Sequence, residues 1–134
     1  MASIFTKIIR GEIPCHKIAE SDDYLAFLDI RPLMKGHALC VPKKEIDYIF
    51  DLDDEMLGGL MVFAKGVAKA IRAAVPCNRV GVVVVGDEVP HAHIHLIPFF
   101  KVADMMFGKP PLELTNEEFV AIASSIRKHY FSRQ

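Results

Sequence analysis

Apolar residues in this chain fall into short runs of strand length and longer stretches of helical period. Ser3 is placed to cap a short helix over Ile4 to Arg10, which Gly11 ends. Cys15 to Ala19 and Tyr24 to Leu28 read as two strands joined by the turn Ser21-Asp22-Asp23. Pro and Gly make the stretch from Asp29 to Gly36 a loop, and His37 to Val41 follows as a third strand, with Pro42 at its end or edge.

The longest helical pattern runs from about Asp53 to Val75, with Asp53, Asp54 and Glu55 at its electropositive start. Lys65, Lys69 and Arg72 form one polar stripe, and almost all the rest is apolar: Met56, Leu57, Leu60, Met61, Phe63, Ala64, Val67, Ala68, Ile71. Such a wide apolar face implies deep burial within one chain or contact with a second subunit. Val80 to Val85 is continuously apolar and β-branched, which predicts a central strand buried on both faces. Gly86 and Pro90 bracket a turn, and His91 to Pro98 reads as the next strand. Thr115-Asn116-Glu117-Glu118 is a capping-box pattern opening a last helix to Ser132, with Phe119, Ile122, Ile126 and Tyr130 as its apolar stripe. Strands and helices do not alternate regularly, so the expected class is α+β with an antiparallel sheet.

Composition narrows this little. At 134 residues, 51% apolar and 25% charged, the chain fits one ordered domain over 1–134. A net charge of −1 gives no basic footprint for nucleic acid, so an anionic ligand must be held by local geometry. Cys15, Cys40 and Cys77 are scattered and odd in number, which points away from a disulfide framework. The start lacks a signal-peptide pattern, and no run is long enough to cross a membrane. A soluble cytoplasmic protein without membrane contact is the expectation.

The chemistry concentrates in His91-Ala92-His93-Ile94-His95. On a strand, alternate side chains share a face, so His91, His93 and His95 are expected on one side and Ala92, Ile94 and Leu96 on the other. Three readings remain open. The face is merely solvated and rich in histidine. Or the imidazoles hold a metal, although first and last lie about 13 Å apart along a strand, and further ligands must come from His37, Asp87 or Glu88. Or a neutral central imidazole attacks phosphorus while its neighbours orient it and donate hydrogen bonds to phosphate oxygens.

The segment His91-Ala92-His93-Ile94-His95-Leu96-Ile97 resembles the signature of the histidine triad (HIT) family, in which histidines alternate with apolar residues. The likeness extends along the chain. Ile4 to Pro14 is similar to the opening of the family's Hint branch, Ala26 to Pro32 to its ribose-binding strand end, and Gly36-His37 with Val41-Pro42-Lys43-Lys44 to its next strand. It covers residues 1 to about 100, and a helical extension over about 112–134 lies beyond it.

The resemblance implies a five-stranded antiparallel sheet with one long helix, a short N-terminal helix, a C-terminal helix, and a homodimer formed through the long helix and a sheet edge. It implies a nucleotide hydrolase or transferase, acting at the α-phosphate of a purine nucleotide through a nucleotidyl-histidine intermediate. The substrate is a nucleoside phosphoramidate or a dinucleoside polyphosphate. His93 is then the nucleophile, His91 and His95 support it and bind the phosphate region, and His37 completes the cluster. Asp29 accepts hydrogen bonds from ribose hydroxyls, and Ile4, Phe5, Phe27 and Ile30 form the slot for the base. A nucleotide-binding protein with little catalysis and a metal-dependent hydrolase are the alternatives.

Two departures from the family pattern matter. Asp87 and Glu88 stand where Asn and Gln are usual, which makes the phosphate side more acidic. Glu88 is therefore a candidate to protonate the leaving group. Some relatives carry a Cys-x-x-Cys zinc site near the N-terminus, and Phe5-Thr6-Lys7-Ile8 offers none, so no structural zinc and no cofactor is expected.

Overall fold

The computed structural model describes residues 1–131. Its elements are helix α1 (Ile4–Ile9), strands β1 (Lys17–Glu20), β2 (Tyr24–Leu28) and β3 (Ala38–Pro42), helix α2 (Asp54–Ala74), strands β4 (Arg79–Val83) and β5 (Ile94–Phe99), and helix α3 (Asn116–Phe131). Ser132, the expected end of the last helix, lies outside the described residues. The strands form one antiparallel sheet in the order β1-β2-β3-β5-β4. The α+β class and the five-stranded antiparallel sheet match the expectation.

Local chemistry sets the helix ends. Ser3 Oγ accepts the Thr6 amide (3.0 Å), and Gly11 follows α1 at φ 79°, a conformation that closes helices without cost only for glycine. Asp53 Oδ1 caps α2 through the Met56 amide at 2.8 Å. Thr115 and Glu118 form the reciprocal capping box of α3, each accepting the other's amide at 3.1 Å.

Strand pleating divides the core in two. Ala26, Leu28, Ala38, Cys40, Ile94 and Leu96 face α2 and α3, where they meet Leu60, Phe63, Val67, Ile71, Phe119 and Ile126. The opposite face carries Leu25, Phe27, Leu39 and Val41, covered by Phe5 and Ile8 from α1. Burying one such Leu, Ile or Phe side chain contributes about 1.5–3 kcal/mol. Because both faces are covered, β2 and β3 are apolar throughout rather than alternating.

Three sequence expectations are corrected. β1 begins at Lys17 rather than Cys15, and a bulge between Lys17 and Ala19 interrupts its ladder. Val80 to Val85 is not a central strand. β4 ends at Val83 and is an edge, with Val82 50%, Val84 40% and Val85 58% exposed. β5 inserts between β3 and β4, and apolarity alone cannot distinguish a strand buried on both faces from one left at the sheet edge. Finally, His91 and His93 precede β5. The His91 amide donates to the Val89 carbonyl (2.8 Å) and the Ala92 amide to the Ile46 carbonyl (2.7 Å), so neither joins the ladder.

Gly36 turns the chain into β3 at φ 95°, and a Cβ there lies 2.9 Å from Val75 Cγ2. Gly36→Ala is expected to destabilise the fold by about 1–3 kcal/mol from backbone strain, more if Val75 cannot yield. Urea unfolding measures this; a wild-type midpoint contradicts it.

Candidate active site

The face of the sheet away from α2 and α3 opens into a cavity of about 650 Å³ at the ends of β2, β3 and β5. Its walls include Ile4, Phe5, Asp29, Ile30, His37, His93 and His95. That volume suits a nucleotide-sized ligand. Two expected members stand elsewhere. Phe27 is buried behind Phe5, with ring centroids 5.6 Å apart, and does not line the cavity. His91 is fully buried and also outside the lining.

Hydrogen bonds fix the protonation of each imidazole, because a carbonyl accepts only from N–H and a backbone amide donates only to a bare nitrogen. Leu33 N–H donates to His37 Nδ1 at 3.0 Å, so the neutral His37 ring carries its proton on Nε2. That Nε2–H meets His95 Nδ1 at 3.0 Å, which places the His95 proton on Nε2. His95 Nε2–H finds no partner among the described residues and is open to the cavity. In the other pair, His91 Nε2–H donates to the Pro42 carbonyl (2.7 Å), and His91 Nδ1 accepts from Ser3 Oγ (2.8 Å). His93 Nδ1–H donates to the His91 carbonyl at 2.8 Å, leaving the Nε2 lone pair of His93 free.

The elements that carry these rings explain their order. β5 sets His95 opposite Leu39 of β3, on the cavity face. The loop after β2 closes through Asp29 N–H to the His37 carbonyl (3.0 Å), which brings Asp29 and His37 together. Asp29 Oδ1 accepts the Arg31 amide at 2.9 Å, an Asx turn, while Oδ2 lies 3.5 Å from His37 Nε2. The His93 ring rests edge-on between Phe5 (5.0 Å) and His95 (4.9 Å).

Burial favours the neutral form of His37, His91 and His95. It lowers the His37 pKa against the pull of Asp29, and it lowers that of His91. His95 is pushed down to about 3, first by burial and then by His37 and His93.

Asp29, His37 and His95 offer ligand atoms within 4.8 Å of one another. Their donor chemistry does not suit a metal. His37 Nε2 carries the proton, and moving it to Nδ1 sets two N–H groups against each other at Leu33. His91 is no better placed, since both its nitrogens are engaged.

Sequence reasoning missed the segment after β5, which returns to line the cavity with Phe107, Lys109 and Pro110. Phe107 packs edge-on against His95 at 5.0 Å. The segment is held by Leu112 N–H to the Pro32 carbonyl (2.8 Å), a contact with no sequence signal. Glu88 and Asp87 line the cavity rim and are exposed.

Because His37, His91 and His95 titrate below the ordinary histidine value in the folded chain, the unfolded chain binds more protons below about pH 6.5, and for His95 this holds down to about pH 3. Stability is therefore full above about pH 6.5 and falls on acidification, by up to about 1.4 kcal/mol per pH unit for each histidine. Urea midpoints measured between pH 7.5 and 4.5 should fall steadily; a flat series contradicts the neutral, buried rings.

The HIT domain family model matches residues 10–102. Over 132 residues the chain is 36% identical to adenosine 5′-monophosphoramidase hnt1 of Schizosaccharomyces pombe, covering 94% of this chain and 96% of that protein. It is 42% identical over 102 residues to adenosine 5′-monophosphoramidase HNT1 of Saccharomyces cerevisiae, covering 72% of this chain and 62% of that protein. A Hit-like protein from Bartonella henselae superimposes with a TM-score of 0.82 at 31% identity, covering 95% of each chain. With His93 and His95 of its alternating histidines at one cavity, His91 buried behind them, and this likeness spanning nearly its whole length, the chain belongs to the HIT domain family.

Proposed function

We propose that this protein is a nucleotide hydrolase or transferase acting at the α-phosphate of a purine nucleotide. One observation carries the reading: the His91 carbonyl holds the proton of His93 on Nδ1, so the Nε2 lone pair of a buried imidazole is available beside an open cavity. An imidazole held in that tautomer is a nucleophile without prior proton loss. His93 Nε2 forms a bond to the α-phosphorus as the bond from phosphorus to the leaving nitrogen or oxygen breaks. Water then displaces His93 from the nucleotidyl intermediate. His95 Nε2–H donates to a phosphate oxygen, and His37 holds His95 in that orientation. Asp29 Oδ2 accepts from the ribose hydroxyls, and Ile4, Phe5 and Ile30 flank the base. Ile30 is 70% exposed and Ile4 48%, as befits apolar walls awaiting a planar ligand. Phe27 supports Phe5 from behind.

The likeness to monophosphoramidases favours a P–N bond in a nucleoside phosphoramidate as the substrate bond. Glu88, at the rim, is assigned the proton that the leaving amine takes. The domain acts as one unit over 1–134, since α3 shares the core beneath the sheet with α2.

A homodimer completes this reading. Tyr48, Phe50, Met61, Val84 and Val85 line one open apolar groove, and Val62 of α2 and Val82 of the edge strand β4 are exposed as well. Unpaired edge strands and apolar patches of this kind call for cover. Sedimentation is expected to give a dimer mass, and Val62→Glu to shift it towards the monomer; a monomeric wild-type protein removes the proposal.

The catalytic reading is tested with adenosine phosphoramidate and a diadenosine polyphosphate, each with and without EDTA. Wild-type protein should cleave at least the first, unaffected by EDTA, and show a nucleotidyl mass adduct. His93→Ala should lose on the order of 10³-fold or more in turnover and form no adduct. Glu88→Gln should slow turnover more than it weakens binding. Full activity in His93→Ala, or loss with EDTA and recovery with zinc, overturns the mechanism.

A further inference from the structure

Glu45 lies in the loop after β3, far in sequence from His91 and His93, and its carboxylate gathers the start of the chain. Oε1 accepts the Ser3 amide at 2.7 Å and the Thr6 hydroxyl at 2.6 Å. Because the Thr6 proton is directed at Glu45, and Ser3 Oγ already accepts the Thr6 amide, the Ser3 hydroxyl proton is free to point at His91 Nδ1 (2.8 Å). Thr6 Oγ1 lies 3.4 Å from the same nitrogen. On its far side the His91 ring donates to the Pro42 carbonyl. The ring is thus pinned at both nitrogens, and its own carbonyl holds the His93 proton.

The loop grips the triad segment at further points. The Ile46 carbonyl, next to Glu45, accepts the amide of Ala92, between His91 and His93. The first turn of α1, anchored by Glu45, carries Phe5, whose ring lies 5.7 Å from that of His91 and 5.0 Å from that of His93. One exposed carboxylate therefore reaches His93 by two routes, through the His91 carbonyl and through the Phe5 ring. Ordinary helix capping needs only the first-turn amides. Here the cap residue Ser3 also serves a buried histidine, and that second duty requires the hydroxyls to be ordered.

We propose that Glu45 is a positioning residue for the nucleophile. By holding Ser3 and Thr6 it fixes the His91 ring, and through the His91 carbonyl it keeps the His93 proton on Nδ1 and the Nε2 lone pair in the cavity. This rests on the reading of His93 as the nucleophile. The carboxylate is charged at every working pH, because the Ser3 amide and then the Thr6 hydroxyl hold its pKa down to about 2. Charge-assisted bonds of this kind order their donors more firmly than neutral ones.

The test combines kinetics with imidazole NMR on ¹⁵N-labelled wild type, Glu45→Ala, Glu45→Gln and Thr6→Val. In wild type, long-range ¹H–¹⁵N spectra should show His93 protonated at Nδ1 and bare at Nε2. Glu45→Ala should mix the tautomers of His91 and His93 and lower kcat for adenosine phosphoramidate by about 10- to 100-fold, with KM close to wild type. Glu45→Gln keeps an acceptor oxygen and should recover most of kcat, and Thr6→Val should fall between. A folded Glu45→Ala protein with wild-type kcat and unmoved His91 and His93 signals overturns the proposal. So does a loss of melting temperature with neither readout changed, which is what a cap alone would give. If Glu45→Ala does not fold, Glu45→Gln and Thr6→Val carry the same two readouts. The spectra need no substrate. Failure to cleave phosphoramidates therefore counts against the nucleotidyl reading, and the tautomers still judge Glu45.

Discussion

A neutral imidazole has one nitrogen that donates and one that accepts, and burying it forces the protein to supply the complement of each. The rest of this site follows from that constraint. Leu33 N–H, a pure donor, meets His37, and the Pro42 and His91 carbonyls, pure acceptors, meet His91 and His93. Each backbone group dictates one tautomer, and the His37–His95 hydrogen bond passes the choice on. For His37, His91 and His95 burial makes the choice durable, since it penalises the doubly protonated ring that would erase the difference. The outcome is two rings at the cavity with opposite abilities: His93 presents a lone pair and His95 presents a proton.

The two-faced sheet makes such a site affordable. The face towards α2 and α3 is wholly apolar and holds the strands in register. The other face can then carry polar groups at the ends of β2, β3 and β5 without leaving the core short of burial. The same division accounts for the position of β4. Its apolar residues lie at the margin of the sheet, where Val82, Val84 and Val85 stay exposed because no second layer covers them.

Charge near the cavity is mixed rather than basic. Asp29, Asp87 and Glu88 share its lining with Arg31 and Lys109. The lining thus offers no excess of positive charge, as the near-zero net charge of the chain leads one to expect, and directed N–H donors are what it offers an anion. Asp29 shows how one residue serves two ends. Its Oδ1 closes the turn that brings His37 home, and Oδ2 stays at the cavity.

The sequence by itself determined the element types, the helix caps at Ser3 and Thr115, the acidic start of α2, and the apolar face formed by Ala92, Ile94 and Leu96. These are local matters of period and side-chain reach, and they are legible within a few residues. It also marked His37, His93, His95 and Asp29, because alternation of histidines in an apolar run is rare, and because the surrounding pattern resembles a known family. Tertiary structure alone decided the rest. His91 left the strand because the Val89 carbonyl took its amide and the Ile46 carbonyl that of Ala92, and Phe27 went behind Phe5 because the helix α1 covers it. Phe107 and Lys109 came to the cavity from beyond β5, and Glu45 came to Ser3 across 42 positions of sequence. A hydrogen bond over that separation leaves no periodic trace in the chain. Which nitrogen of each histidine keeps its proton is decided only when backbone groups from distant elements close around it.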